Sequence, residues 1–204
     1  MIIDFKSINF INSILNINEL TNDNGNEIAF IGYTNVGKST IINLLFNKKI
    51  SRTSKTPGCT YRINIFKNNQ EIRFLDFPGY GYNKFLNKSN FNTYVFFQKY
   101  YLIRNSLKVI VLIIDIRFLF KKIDLILLNL LLNKKKSILI ILNKSDKLSN
   151  IIIKKKIFII KNFLLNLKSK YKFNLKIKFL IFSSLKKDNL HKIRKIINFW
   201  INNY

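Results

Sequence analysis

The chain has 204 residues, 48% of them hydrophobic, and sets 36 Lys and Arg against 10 Asp and Glu for a formal charge of +26. That length suits one well-buried core and is short for two, while the longest uncharged stretch, 7–18, falls well below the roughly 18 apolar residues a membrane-spanning helix needs. A transmembrane protein is excluded, and with Cys59 as the single cysteine so is an internal disulfide framework. MIIDFKSINF carries an acid and no small-residue cleavage site, so no secretory signal is expected. In chain order, residues 1–25 form an N-terminal extension that ends in the polar loop TNDNGNE around Gly25. IAFIG (28–32) reads as a buried strand and 38–47 as a helix. YRINIFK (61–67) alternates, and it pairs with IRFLDF (72–77) across the polar turn NNQE as a hairpin with one antiparallel edge strand. Helices then fall at 89–104, 121–133, 149–169 and 186–202, between the apolar runs KVIVLIID (108–115), SILIILN (137–143) and IKFLIF (177–182). Such alternation implies a mostly parallel six-stranded sheet covered by helices on both faces, an α/β fold whose ligands bind beyond the carboxyl ends of the strands.

The positive charge should attract polyanions. Lys outnumbers Arg by 30 to 6, which offers point charges to phosphates rather than base-reading forks. The composition, with Ala29 as its one alanine, leans towards A- and T-rich codons, so part of the charge reflects genome composition. Five of the six glycines and both prolines fall between residues 32 and 81, which concentrates the tight turns in that third of the chain.

Gly32–Ser39 reads GYTNVGKS, the phosphate-loop pattern, placed after a strand and before a helix. Its glycines let the amides of Asn35, Val36, Gly37, Lys38, Ser39 and Thr40 curl around a β-phosphate at a helix N-terminus. Lys38 would reach the β- and γ-phosphates, and the Ser39 hydroxyl would ligate Mg²⁺. In LDFPGYG, Asp76 stands where a second metal-side carboxylate belongs, with the Gly79 amide placed to sense a γ-phosphate. NKSD, Asn143–Asp146, follows a buried run. Asp146 can accept from both guanine N1–H and the N2 amino group, which selects GTP over ATP. Asn143 would bind guanine and tie this loop to the phosphate loop, and the Lys144 stem would cover the ring. Phe182, Ser183 and Ser184 close IKFLIF, where backbone N–H groups can meet guanine O6.

GYTNVGKS, TPGCT, DFPGYGY, NKSD and FSS together resemble the EngB/YihA/YsxC family of ribosome-assembly GTPases over roughly residues 20–200. The resemblance implies a Ras-like G domain, here 1–204, of six strands and five helices. It also implies Mg²⁺-dependent hydrolysis of GTP to GDP, association with RNA and protein of the large ribosomal subunit during its maturation, and a link to division and septation. By position, Thr60 matches the switch threonine that completes Mg²⁺ coordination, and Gly58 supplies the turn before it. The implied catalytic set is Lys38, Thr60 and Gly79, and the metal set Ser39, Thr60 and Asp76. Asn35 matches an asparagine that related GTPases use to hold a potassium ion, or it is a turn residue. Cys59 stands where a basic residue is expected and reads as an inert thiol.

Tyr80 occupies the place of the water-orienting Gln of Ras-type enzymes, so slow intrinsic turnover is expected. His191 reads as a surface residue, Phe199 and Trp200 as hydrophobic docking of the last helix, and Asp115 and Arg117 as organisers of a strand-end loop. Two other functions fit the same motifs: a membrane-associated signalling GTPase, for which FWINNY offers no prenylation cysteine, and a nucleotide-binding module that does not hydrolyse. A monomer in a bacterial cytoplasm is expected, with an organelle stroma as the other compartment.

Overall fold

The computed structural model describes residues 2–20, 22–50, 62–81, 93–134, 136–171 and 176–204. TPGCT, with Gly58, Cys59 and Thr60, lies outside the described residues, as does the start of the predicted helix 89–104. Among the described residues, seven strands form one sheet: β1 (Asn9–Ile14), β2 (Asn26–Gly32), β3 (Ile63–Lys67), β4 (Ile72–Asp76), β5 (Leu107–Asp115), β6 (Ser137–Asn143) and β7 (Ile177–Ile181). Their order across the sheet is β1-β3-β4-β2-β5-β6-β7. β3 runs antiparallel to both β1 and β4, and all other pairings are parallel.

The six-strand expectation is corrected by β1, which lies within the N-terminal extension and covers β3, so β3 is not the edge. Its sequence, NFINSI, lacks the apolar alternation of a half-buried strand, because it is an edge whose first four residues are exposed. Backbone pairing with β3, broken by a register shift between Phe10 and Asn12, holds it in place, and Ser13 Oγ donates to Asn64 Oδ1 at 2.7 Å.

Among the described residues, five helices cover the sheet: α1 (Lys38–Phe46), α2 (Thr93–Ile103), α3 (Lys122–Leu131), α4 (Asn150–Lys170) and α5 (Leu190–Asn202). Successive strand residues face opposite sides. Ile28 and Phe30 therefore join α1, α5 and the N-terminal Ile3, Phe5 and Ile8, while Ala29 and Ile31 join α2, α3 and α4. Because both faces are covered, the central strands read as continuous apolar runs. α5 starts later than predicted. Lys187 and Asn189 have φ of 59° and 63°, so residues 183–189 turn before the helix begins, and Ser183 sits in a bridge with Asp188.

At the amino end of β2, Glu27 is 1% exposed and lies between two arginines. Its carboxylate accepts from Arg73 Nε at 2.8 Å, Arg104 Nη2 at 2.7 Å and Tyr100 OH at 2.7 Å. Burial pushes Glu27 up, yet Arg104, Tyr100 and Arg73 hold it below the usual carboxylate range. This knot fastens α2 and β4 to the central strand at the end of the sheet away from the phosphate loop.

Candidate functional site

β2, β4, β5 and β6 deliver Gly32, Asp76, Asp115 and Asn143 as their last residues, so parallel pairing alone collects them on one rim. The phosphate loop bends from β2 into α1 through Asn35 at φ 62° and Gly37 at φ 94°. Gly37 has no substitute: a Cβ there would lie 2.4 Å from Asn143 Nδ2, in a conformation that L side chains rarely adopt. Lys38, the first residue of α1, pairs with the Asp76 carboxylate, which is 3% exposed. Val36 is buried, Ser39 is half-buried and Thr40 is exposed.

Asn143 is spent at both ends. Its Nδ2 donates to Val36 O at 2.8 Å, while Oδ1 accepts from Ser184 N at 3.2 Å and Ser184 Oγ at 3.0 Å. One buried amide thereby links the loops after β2, β6 and β7, and such a fully satisfied group fixes their spacing. Lys144, at φ 67°, adds a second tie: its Nζ donates to Asn35 O at 2.6 Å and pairs with Asp115 Oδ2 at 3.1 Å. Asp115 also takes a bidentate contact from Arg117, as expected for a loop organiser. Asp146 Oδ1 accepts from Ser183 Oγ at 2.7 Å, a hydrogen bond that holds this carboxyl below the usual range. Phe182 behaves differently from its neighbours: its side chain is fully buried, and only its main chain reaches the rim, where its carbonyl accepts from Ser145 N at 3.2 Å.

The loop after β4 is zipped onto the phosphate loop. Thr34 N donates to Tyr80 O at 3.0 Å and Tyr80 N to Gly32 O at 3.2 Å. Gly79 packs so closely that a Cβ would meet Thr34 Cα at 2.9 Å. Tyr33 OH donates to Gly81 O at 2.9 Å, and its ring lies edge-on to Tyr80 and 3.4 Å from Lys121 Nζ. Tyr80 is 6% exposed, and its hydroxyl donates to the buried Asp124 of α3, whose other oxygen accepts from Lys121 N at 2.7 Å. Burial pushes both Tyr80 and Asp124 up. Tyr33, Lys121 and Asp124 were not singled out from sequence. The available signal was Asp124 itself, an acid in the first turn of a predicted helix, where carboxylates accept exposed backbone N–H groups.

Of the remaining residues, His191 is exposed as expected and Trp200 docks into the core, but Phe199 is 57% exposed and does not dock with it. A helix presents consecutive residues about 100° apart, and in α5 the buried face is the one formed by Ile193, Ile197, Trp200 and Ile201, which leaves Phe199 outside it.

Residues 27–144 match the model of the 50S ribosome-binding GTPase family. A probable GTP-binding protein EngB from Buchnera aphidicola subsp. Baizongia pistaciae is 40% identical over 198 residues, covering 97% of this chain and 84% of that protein. The crystal structure of a probable GTP-binding protein engB superposes with a TM-score of 0.63 at 26% identity, over 87% of this chain and 100% of that one. Era, solved in complex with MgGDPNP and nucleotides 1506–1542 of 16S ribosomal RNA, gives 0.60 at 25% identity over 86% of this chain and 56% of its own. With a Ras-like sheet carrying these loops on one rim, the chain belongs to the EngB family of 50S ribosome-binding GTPases, enzymes that bind and hydrolyse GTP.

Proposed function

We propose that the chain is a Mg²⁺-dependent GTP switch in assembly of the large ribosomal subunit, working as a monomer in the bacterial cytoplasm. Residues 1–204 form one G domain, with the N-terminal extension laid along its edge and core. The observation that carries the reading is the Asn143 amide bonded to Val36 O, because it couples a base-reading loop to a phosphate loop at fixed spacing. In this reading the amides of Gly32–Thr40 surround the β-phosphate, Lys38 leaves Asp76 for the β- and γ-phosphates, and the Gly79 amide senses the γ-phosphate. Asp146 pairs with guanine N1–H and the N2 amino group, the Lys144 stem covers one ring face, and the backbone around Phe182, Ser183 and Ser184 meets O6.

Ser39 Oγ and Asp76, both hard oxygen donors beside the phosphate loop, suit Mg²⁺, with Thr60 completing the set in the GTP-bound state. When bound, that ion neutralises charge developing on the phosphoryl oxygens. Tyr80 has its hydroxyl committed to Asp124 and orients no water, so intrinsic turnover is slow and the subunit supplies what is missing. Gly58 gives the turn that brings Thr60 in. Asn35 positions a potassium ion at the phosphates, which equal rates of hydrolysis in potassium and sodium buffers would refute. Among the described residues no helix is long and apolar enough to cross a membrane.

The test is nucleotide affinity and turnover for wild type and Asp146→Asn, with and without purified large subunits. Wild type is expected to prefer GTP and to turn it over faster with subunits, and the variant to shift towards xanthosine nucleotide. Unchanged base preference would remove the assigned pocket, and turnover indifferent to subunits would remove the ribosomal role.

A further inference from the structure

The charge of this chain is unevenly placed. Residues 147–204 hold 14 Lys and one Arg against a single acid, Asp188, so about half of the net +26 sits in little more than a quarter of the sequence. Two of those lysines, Lys176 and Lys178, join Lys108 and Lys136 from earlier in the chain at the amino ends of β5, β6 and β7, the rim opposite the phosphate loop. Lys108 lies in the start of β5, Lys136 just before β6, Lys176 just before β7 and Lys178 within it. Pairing of Val109 with Ser137 brings Lys108 next to Lys136, and pairing of Ile138 with Ile177 and of Leu139 with Lys178 brings Lys176 next to Ser137, with neighbouring strands about 4.8 Å apart.

Three ammonium groups near this rim are held by backbone carbonyls. Lys108 Nζ donates to Asn105 O at 3.0 Å, Lys136 Nζ to the same oxygen at 3.3 Å, and Lys134 Nζ to Leu102 O at 2.5 Å. The carbonyl end of α2 thus gathers three like charges. Asp23 and Glu27, the acids whose charges bear on Lys136, are already engaged by Arg104 and Arg73. In the middle of the row stands Tyr204. Its hydroxyl lies 3.0 Å from Ser137 Oγ, and Lys176 Nζ and Lys108 Nζ lie 4.6 and 5.7 Å from its ring centroid. The ring remains 45% exposed. Further along, Lys178 Nζ lies 5.8 Å from the exposed Phe199 ring.

A row of preorganised cations interleaved with exposed rings is how single-stranded nucleic acids are held: phosphates follow the cations and bases stack on the rings. The Ser137 contact fixes the Tyr204 ring as a platform instead of leaving it to insert among acyl chains. We infer that this rim binds an unpaired stretch of RNA, with a base on Tyr204 and backbone phosphates on Lys108, Lys136, Lys176 and Lys178. The inference rests on the ribosomal reading and names a contact surface that leaves the nucleotide loops uncovered.

The test uses the full chain and a short fluorescent oligouridylate, with anisotropy recorded across a salt series. Lys176→Glu/Lys178→Glu is expected to weaken binding more than tenfold and to lower the slope of log affinity against log salt by about 0.7 per lost phosphate contact. Tyr204→Ala is expected to weaken binding about tenfold, and Tyr204→Phe to stay within a few-fold of wild type. Lys154→Glu/Lys155→Glu on α4 makes the same charge change elsewhere and is expected to matter far less, with GTP turnover unchanged in all four. Equal losses from the two lysine pairs, wild-type binding by Tyr204→Ala, or Tyr204-dependent binding to phosphatidylserine vesicles in place of RNA would overturn the inference. Co-sedimentation with large subunits separates the two claims. Wild type failing to sediment would remove the ribosomal role while the oligonucleotide still decides the rim, whereas full sedimentation of Lys176→Glu/Lys178→Glu would remove the rim alone.

Discussion

Tyr80→Phe removes one hydroxyl from the pin between the loop after β4 and helix α3. Asp124 is 2% exposed and accepts from the Tyr80 hydroxyl and from Lys121 N, so the variant leaves a buried carboxylate with one of those two donors. Hydrogen bonds to a charged group contribute about 1.5–3 kcal/mol, and the phenyl ring still fills the same space, so the loss should be about 2 kcal/mol. With a urea slope of about 2 kcal/mol per molar, the unfolding midpoint should fall by about 1 M. The pH dependence gives a second reading. Burial holds the folded Asp124 above its ordinary value, so the charged form costs stability at neutral pH, and that cost fades as pH falls through the folded pKa. Losing a donor to the carboxylate raises the folded pKa further. The gap between wild type and Tyr80→Phe should therefore be largest above the folded pKa and narrow as pH falls through it towards the ordinary carboxylate range. Equal midpoints, or a gap that ignores pH, would refute the assignment of Tyr80 as a buried donor.

Two further substitutions test the supports of the site. Gly37→Ala places a Cβ against Asn143 Nδ2 at φ 94°, and nucleotide affinity measured by titration calorimetry should fall at least a hundredfold while the circular dichroism spectrum is kept. Glu27→Gln leaves Arg73 and Arg104 without their shared carboxylate and should destabilise the fold by about 3 kcal/mol in denaturant unfolding. Asp23 and Glu27 are both held below the usual carboxylate range. Their contribution is present above about pH 4, where an unfolded carboxylate is ionised, and is lost as pH falls below it. Wild type should lose stability steeply there, and Glu27→Gln less steeply.

The nucleotide loops were legible because their chemistry is local. A phosphate loop needs glycines and a Lys-Ser pair within eight residues, and a guanine loop needs its Asp three residues beyond an Asn. The buried strands were legible for a related reason: with both faces covered, their apolar runs are uninterrupted. β1 was not legible, since an edge strand is defined by a partner, here β3, and bears no mark of its own in NFINSI. Residues distant in sequence also met without a local signal. Tyr80 finds Asp124 across 44 positions and Glu27 finds Arg104 across 77, and nothing within either segment selects the other.

Residue type and spacing therefore determined the family, the nucleotide class and, β1 apart, the order of strands and helices. Tertiary structure decided the rest: that one Asn143 amide serves three loops, that Tyr80 is buried against α3, that Phe199 faces outward while Trp200 docks, and that Lys108 and Lys176, far apart in sequence, meet at the Tyr204 ring. Recognition of a small ligand recurs as short motifs because it needs a few backbone groups in a row. Burial and charge clustering are properties of surfaces, and a surface exists only after the sheet has brought its strands together.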